Sequence, residues 1–241
     1  MTKPVALVIG AGDALGGAIA RRFAREGMVA CVVRRHAEKL APLVDAIRGA
    51  GNEAVPFGVD ARKEEAMTEL VQRVESEIGT IEVAVFNIGA NVRFPIRDMT
   101  SRVYFKVWEM ACFAGFLMGR EAAKVMVPRG CGTILFTGAT ASLRGGSGFA
   151  AFAGAKFALR ALAQSMAREL GPLGIHVAHS IIDGAIDTEF IRDNFPERYA
   201  LKAKDGILAP DAIAENYWLL HCQTRSAWTH ELDLRPWIET W

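Results

Sequence analysis

The sequence predicts a single α/β domain in which a parallel β-sheet is covered by helices on both faces. Short apolar runs alternate with amphipathic segments of helical period, and no linker or repeat divides the chain. Strands that are apolar throughout, rather than at every second position, are typical of a parallel sheet buried on both faces. Together these observations predict the doubly wound, Rossmann-like class.

The predicted elements follow one another in a regular order. An apolar run at 5–9 predicts the first strand, and Leu15, Ile19 and Phe23 lie on one face of the helix predicted after it. Further strands are predicted at 29–33, 53–58, 83–86, 133–137 and 175–182, with a last alternating strand inside 227–237. Further helices are predicted at 37–50, 63–78, 103–126 and 148–170.

Composition excludes several classes of protein. The 241 residues are 51% hydrophobic and 23% charged, which is typical of a soluble domain that needs no disulfide or metal for stability. The net charge of +1 argues against nucleic acid or an anionic membrane as a partner. Four scattered cysteines lack metal-ligand spacing, and no signal peptide or membrane-spanning run is recognisable. We therefore expect a cytoplasmic protein with reduced thiols and no metal.

A glycine-rich turn separates the first strand from the first helix. Glycines such as Gly10, Gly12 and Gly16 let the backbone approach a pyrophosphate, and the following helix N-terminus, at Leu15, favours anions. An ordinary tight turn with Asp13 as the helix N-cap is the alternative interpretation. The position of the turn, after the first strand of an alternating chain, favours a nucleotide site.

Several segments in order carry a resemblance to one family. They are 9–16, 87–90 (Asn-Ile-Gly-Ala), 171–177 (Gly-Pro-Leu-Gly-Ile-His-Val) and 183–188, together with Asp60 after the third strand. On these segments the chain resembles the short-chain dehydrogenases/reductases over nearly its whole length. Ile9, Ala14 and Asp183 depart from the threonine, glycine and proline usual there. The resemblance implies a Rossmann-like fold and a nicotinamide dinucleotide held by residues that include Asp60, Ala61, Asn87, Gly89, Lys156, Gly184 and Ile186.

The end of the second strand bears on the choice of dinucleotide. Arg34 and Arg35 stand where a carboxylate would favour NAD, and guanidinium groups suit the 2′-phosphate of NADP. Two solvated arginines are the alternative interpretation, and Asp13 would oppose the phosphate. The sequence therefore favours NADP(H) and leaves NAD(H) possible.

The resemblance also implies a catalytic serine, tyrosine, lysine and asparagine. Lys156 keeps the lysine, but Ala139, Phe152 and Cys112 occupy the serine, tyrosine and asparagine positions. A phenyl ring has no proton to donate, so another group or water must supply the general acid. The candidate replacements are Thr140, Ser142 and Asp183, each of which has a plainer interpretation as a satisfied loop residue.

Lys156 is predicted to be buried. The residues at 151–159 around it are apolar on almost every side of the helix, and a buried ammonium needs a polar partner. The ribose hydroxyls of a dinucleotide would supply one. Retention of this lysine without the tyrosine suggests that cofactor binding outlived the usual chemistry.

Two functions remain open at this point. One is an NADP(H)-dependent oxidoreductase with an atypical site that acts on the carbonyl or alcohol group of a small-molecule substrate. The other is a catalytically silent dinucleotide-binding protein. A substrate lid is expected at 187–209, and a tryptophan-rich segment at 226–241 is expected to form a sheet edge and an interface. The apolar helix at 148–170 predicts a homodimer or homotetramer.

Overall fold

A seven-stranded parallel sheet forms the centre of the molecule. The computed structural model describes residues 3–240, so Met1, Thr2 and Trp241 of the predicted domain lie outside the described residues. The strands are β1 Lys3–Ile9, β2 Val29–Arg34, β3 Ala54–Gly58, β4 Gly79–Phe86, β5 Gly132–Thr137, β6 Ile175–Ile182 and β7 Glu231–Leu234. Their order in the sheet is β3-β2-β1-β4-β5-β6-β7, which confirms the predicted class.

Helices cover both faces of this sheet. In β1, Val5 and Leu7 pack into the core on one face while Ala6 and Val8 pack into the core on the other. This two-sided burial explains why the strands are apolar throughout. The helices are α1 Leu15–Arg25, α2 Ala41–Gly49, α3 Glu64–Glu77, α4 Ser101–Trp108, α5 Ala114–Met126, α6 Ala150–Leu170, α7 Glu189–Asn194, α8 Pro196–Tyr199 and α9 Pro210–His221. None of the helices within residues 3–240 is long and apolar enough to cross a membrane.

Two predicted helices are interrupted. The segment predicted as one helix at 37–50 begins as a 3₁₀ turn, Ala37–Leu40, and α2 follows with a proline in its first turn, where the missing N–H costs nothing. The helix predicted at 103–126 contains a π-helical turn, Glu109–Phe113, between α4 and α5. Such turns are frequent at functional sites, and this one carries Cys112.

The order of the strands determines where a ligand can bind. After β1 the chain continues towards β2 and β3, whereas after β4 it continues towards β5, β6 and β7. The loops that leave the carboxyl ends of β1 and β4 therefore diverge and open a crevice between them. The candidate site lies at this crevice.

The C-terminal segment forms the sheet edge and also contacts the segment predicted as a lid. β7 pairs in parallel with β6, which confirms the predicted edge strand. Ile186 and Leu208 form a bridge at the base of the predicted lid. Beyond β7, Trp237 donates from Nε1 to the carbonyl oxygen of Lys204 at 3.0 Å, and Glu239 lies 3.1 Å from Arg198.

A buried histidine in β6 predicts acid sensitivity. Within residues 3–240, neither ring nitrogen of His179 has a hydrogen-bond partner, and burial lowers the pKa of His179 to about 4. The charged groups around it are Glu231, Lys156, Arg160 and His230. In the unfolded chain His179 binds a proton with a pKa near 6.5, whereas in the folded chain it does so only near pH 4. Stability is therefore lost as the pH falls through this window, by about 3 kcal/mol at most.

The measurement is urea unfolding as a function of pH. His179→Gln removes the titrating ring, so the free energy of unfolding should fall less steeply below pH 6.5 than in the parent protein. His36→Gln is the matched control, because His36 is exposed. An identical pH dependence for His179→Gln and the parent protein would contradict the assignment.

Candidate active site

The turn after β1 is closely packed against its surroundings. Gly10 has φ +89°, and a Cβ on it would lie 2.8 Å from the carbonyl oxygen of Asn87. A Cβ on Gly16 would lie 2.4 Å from the oxygen of Gly10. Glycine is therefore required where the turn, α1 and β4 meet. The N-cap of α1 is Ala14, with no side-chain hydrogen bond, so the interpretation of Asp13 as the cap was wrong.

A cleft of about 470 Å³ lies at the carboxyl ends of β1, β2, β3 and β4. Asn87 joins two of its walls, donating from Nδ2 to the oxygen of Gly10 at 3.2 Å and from its backbone N–H to the oxygen of Ile9 at 2.8 Å. The predicted cofactor-binding residues that line the cleft are Gly10, Gly12, Arg34, Arg35, Asp60, Ala61, Asn87 and Gly89. The structure therefore brings most of the predicted set together.

One end of the cleft is basic. Besides Arg34 and Arg35 it is lined by His36 and Lys39, which the sequence interpretation missed although both belong to the same basic run. Arg34 lies over the glycine turn, with Nη1 4.0 Å from where a Cβ on Gly12 would stand. This end can hold a phosphate by charge-assisted hydrogen bonds.

Asp60 is already paired with an arginine in the cleft wall. Arg62, a lining residue that sequence reasoning missed, donates from Nε and Nη2 to the two carboxylate oxygens of Asp60 at 2.8 and 2.6 Å. These hydrogen bonds lower the pKa of Asp60. The remaining Arg62 nitrogen, Nη1, lies 3.4 Å from Glu109 of the π-helical turn. The pair keeps Asp60 ionised and oriented at the cleft.

Lys156 lies beneath the far wall of the cleft. Its side chain is only 2% exposed, and Nζ donates to the backbone oxygens of Thr137 at 2.8 Å and Ile88 at 3.2 Å. Burial lowers the pKa of this amine to about 8. The sequence predicted that a bound ribose would satisfy the ammonium, whereas two backbone carbonyls already do so. Because a lysine ammonium has three donors, one N–H remains for a ligand.

Two side chains near Lys156, those of Phe152 and Cys112, are apolar or weakly polar. Its Nζ lies 6.0 Å from the ring centroid of Phe152, which is buried. Cys112 is buried in the π-helical turn. Burial raises the pKa of its thiol, and the opposing effect of the positive charge of Lys156 is smaller. Neither side chain can donate a proton readily at neutral pH. The proton donor must lie elsewhere.

Thr140 and Asp183 form a short hydrogen bond at the carboxyl ends of β5 and β6. Thr140 donates from Oγ1 to Oδ1 of Asp183 at 2.6 Å. Asp183 is fully buried, and two guanidinium groups face it, Arg144 at 3.4 Å and Arg235 at 3.8 Å. The sequence offered Asp183 as a replacement acid in its own right, but a carboxyl with no exposed surface does not contact a substrate directly. Only Thr140, which is half-buried, offers an accessible atom of this pair.

Ser142 belongs to the local turn. It is fully buried, and its Oγ accepts a hydrogen bond from the backbone N–H of Ala139 at 3.1 Å. Of the two hydroxyls beside the missing serine, the structure therefore turns one towards Asp183 and the other into the protein. The prediction that Ser142 reaches the substrate does not agree with this placement.

Comparison with known proteins gives the family. The model of the family described as short chain dehydrogenase matches residues 4–198. The chain belongs to the short-chain dehydrogenase family. A short-chain dehydrogenase from Rhodopseudomonas palustris is 50% identical in sequence, with a TM-score of 0.84 over 97% of this chain and 99% of that one.

Other similar proteins are also named as short-chain reductases or oxidoreductases. The short-chain reductase protein NovJ of Streptomyces niveus is 34% identical over 81% of this chain and 74% of its own length. A metagenomic short-chain oxidoreductase solved in complex with NADP is 25% identical, with a TM-score of 0.84 over 98% of each chain. The chain spans 60% of the length of a 28% identical short chain dehydrogenase from Pseudocercospora fijiensis.

None of the three tyrosines of this short-chain dehydrogenase takes the place of the missing phenol. The hydroxyl of Tyr104 lies 2.9 Å from where a Cβ on Gly154 would stand, away from Phe152 on α6. Tyr199 accepts a hydrogen bond from Lys202 in the predicted lid. Tyr217, on α9, is fully buried against Thr137 Oγ1 at 2.8 Å, and burial raises its pKa to about 12.

Five residues predicted to bind the cofactor are not among those that line the cleft: Leu15, Gly16, Lys156, Gly184 and Ile186. The Leu15 side chain is buried in the core, so only its backbone belongs to the turn. Gly184 packs against the C-terminal segment, since a Cβ on it would lie 2.8 Å from Pro236. Ile186 forms the base of the lid with Leu208. Their contact with a nicotinamide remains a prediction.

Proposed function

We propose that this protein is an NADP(H)-dependent oxidoreductase that interconverts a carbonyl and an alcohol through an atypical active site. The observation that carries the proposal is the link between the cleft and Lys156. The cleft extends from Arg34 and Arg35 to the 87–89 wall, and Lys156 donates to Ile88 within that wall at 3.2 Å. Phosphate-binding groups at one end and a buried amine at the other suit the two ends of a dinucleotide.

The residues present fit such a cofactor. At Gly10 and Gly16 the turn leaves no room for a Cβ, and the first backbone N–H groups of α1 have no partner within the helix. They would hold the pyrophosphate, while Arg34 and Arg35 would hold the 2′-phosphate and Lys156 the ribose near the reacting ring. A bound nicotinamide supplies or accepts the hydride.

The proton path in this proposal uses Thr140 and Asp183. When an alcohol is oxidised, Thr140 Oγ1 accepts the substrate proton and passes its own proton to Oδ1 of Asp183, 2.6 Å away. Carbonyl reduction starts from protonated Asp183 and runs the same path in reverse, so Asp183 exchanges one proton with solvent in each turnover. A hydroxyl relay of this kind needs no phenol at position 152.

Turnover separates this proposal from the catalytically silent alternative. The relatives quoted above are named as dehydrogenases, reductases or oxidoreductases, which supports an enzyme. The experiment is NADPH binding by fluorescence titration, followed by NADPH consumption across a panel of aldehydes and ketones. Binding followed by consumption supports the proposal. Binding with a uniformly silent panel would favour the alternative, and no binding would contradict both.

The basic end of the cleft yields a test of cofactor choice. Arg34→Ala combined with Arg35→Ala should weaken NADPH binding by about tenfold to a hundredfold, because charge-assisted bonds to the 2′-phosphate are lost. NADH, which lacks that phosphate, should bind as in the parent protein. Arg168→Ala, on the exposed end of α6, is the control. Equal weakening for both dinucleotides would contradict the assignment of these arginines.

Assembly through the α4–α6 face is part of the same proposal. Phe105, Phe116 and Phe157 are exposed on α4, α5 and α6, which is unusual for large apolar side chains. A second copy of the chain would cover them in a homodimer or homotetramer. The segment at 187–209 would close over the substrate as a lid.

A further inference from the structure

An exposed arginine lies beside the start of α6. The backbone N–H of Phe94 donates to the carbonyl oxygen of Gly148 at 2.8 Å, which ties the loop after β4 to the loop before α6. Gly148 has φ +83°, and a Cβ there would lie 2.9 Å from Cγ and 3.2 Å from Nε of Arg93. The Arg93 side chain therefore runs across Gly148, next to the helix turn that carries Phe152.

The Arg93 guanidinium has no acidic partner in residues 3–240. Other arginines of the chain, such as Arg62 and Arg160, are paired with carboxylates at 2.6 Å. An arginine that is exposed and not neutralised attracts an anion, and this one lies beside the start of the helix that carries Phe152. The aliphatic part of the Arg93 side chain packs against Gly148, where a Cβ would leave it no room.

A second arginine, Arg144, lies in the loop after β5, four residues before Gly148 in the chain. Arg144 is 44% exposed, and its two Nη atoms lie 3.4 Å from the oxygens of Asp183. Asp183 also accepts from Thr140, so this buried carboxylate orients Arg144 next to the proposed proton path. A guanidinium has five N–H donors, which leaves Arg144 with donors for a ligand.

Aromatic residues lie next to Arg93 and Gly148 in the chain. Phe94 follows Arg93 and is exposed, and Phe149, half-buried, follows Gly148 as the N-cap of α6. In the segment proposed as the lid, Phe190 and Phe195 are also exposed and lie in edge contact, with ring centroids 5.9 Å apart. Such a surface suits the apolar body of a ligand and leaves its charged group to the arginines.

We propose that the substrate is a carbonyl or alcohol compound with an apolar body and a carboxylate, and that Arg93 and Arg144 bind the carboxylate. The inference rests on the proposed oxidoreductase function and names its substrate class. Arginine binds a carboxylate through two parallel hydrogen bonds, which fixes orientation as well as affinity. The carboxylate would then hold the reacting carbon beside Thr140.

The test uses 2-naphthoate and its methyl ester, two probes of similar shape that differ in charge. Calorimetric titration of the protein–NADPH complex should show naphthoate binding at least about tenfold more tightly than the ester. Arg93→Met should remove this preference, and Arg93→Lys should keep part of it because the charge remains. Arg168→Met, at the other end of α6, should leave it unchanged, and all variants should bind NADPH as the parent does.

The outcomes separate the two proposals. Equal affinity for acid and ester, no naphthoate binding at millimolar concentration, or an unchanged preference in Arg93→Met would each overturn the carboxylate site while leaving the oxidoreductase proposal standing. Failure of the parent protein to bind NADPH would contradict the oxidoreductase proposal. The same titration without cofactor would then decide the carboxylate site.

Discussion

Replacing Asp183 by asparagine is expected to lower turnover by about 100- to 10,000-fold, the usual contribution of general acid–base catalysis. An asparagine oxygen can still accept the hydrogen bond that Thr140 donates, but it cannot take up the proton. The measurement is the rate of NADPH consumption at saturating carbonyl substrate. NADPH affinity should stay the same, because Asp183 does not line the dinucleotide cleft.

Matched variants distinguish a proton path from a structural role. Thr140→Val should lower turnover as much as Asp183→Asn, whereas Thr140→Ser keeps the hydroxyl and should keep most of the activity. Asp233→Asn is the control, since Asp233 is exposed and pairs with Arg235, a neighbour of Asp183. Full turnover in Thr140→Val would rule out the pair as the proton path.

In the Asp183→Asn variant, restoring the missing phenol is expected to recover the lost turnover. Phe152→Tyr together with Ala139→Ser should increase the rate of carbonyl reduction by that variant by about 100- to 10,000-fold, because the phenol then supplies the proton. Lys156 Nζ lies 6.0 Å from the ring centroid of Phe152, so a phenol oxygen on that ring can approach the ammonium, which lowers the pKa of the phenol. The measurement is again NADPH consumption across the carbonyl panel.

Phe116→Tyr is the control for this gain. It adds a phenol to an exposed ring on α5, so it should leave turnover unchanged. The resulting triple variant must retain NADPH binding for its rate to be interpreted. With NADPH bound and no gain in turnover, the absence of the phenol would not be what limits this site.

Much of the fold followed from local patterns. Continuous apolar runs predicted a parallel sheet, and the strands observed at those runs agree with the predicted bounds to within a few residues; the largest difference is at 83–86, which is observed as Gly79–Phe86. The apolar surroundings of Lys156 predicted its burial correctly. The interruptions of helices were not predictable in this way. The turn at Glu109–Phe113 keeps the helical period of its apolar residues, so its π-helical hydrogen bonding leaves no signal in sequence.

The details of the site depended on contacts between distant segments. Nothing beside Thr140 indicated that its hydroxyl would meet Asp183, 43 residues away, while the hydroxyl of Ser142 turned inwards. Asp60 pairs with Arg62, only two positions further on in the chain. That both residues line the cleft could not be predicted locally, because the cleft is formed by the loops after four different strands.

The sequence by itself determined the family, the sheet, the glycine turn and the loss of the catalytic phenol at Phe152, because these depend on residue type, order and period. Only the tertiary structure decided how the candidate polar groups are arranged. Burial and hydrogen-bond partners belong to the packed molecule: they join Thr140 to Asp183, satisfy Lys156 with two backbone carbonyls and leave Arg93 without an acidic partner within residues 3–240.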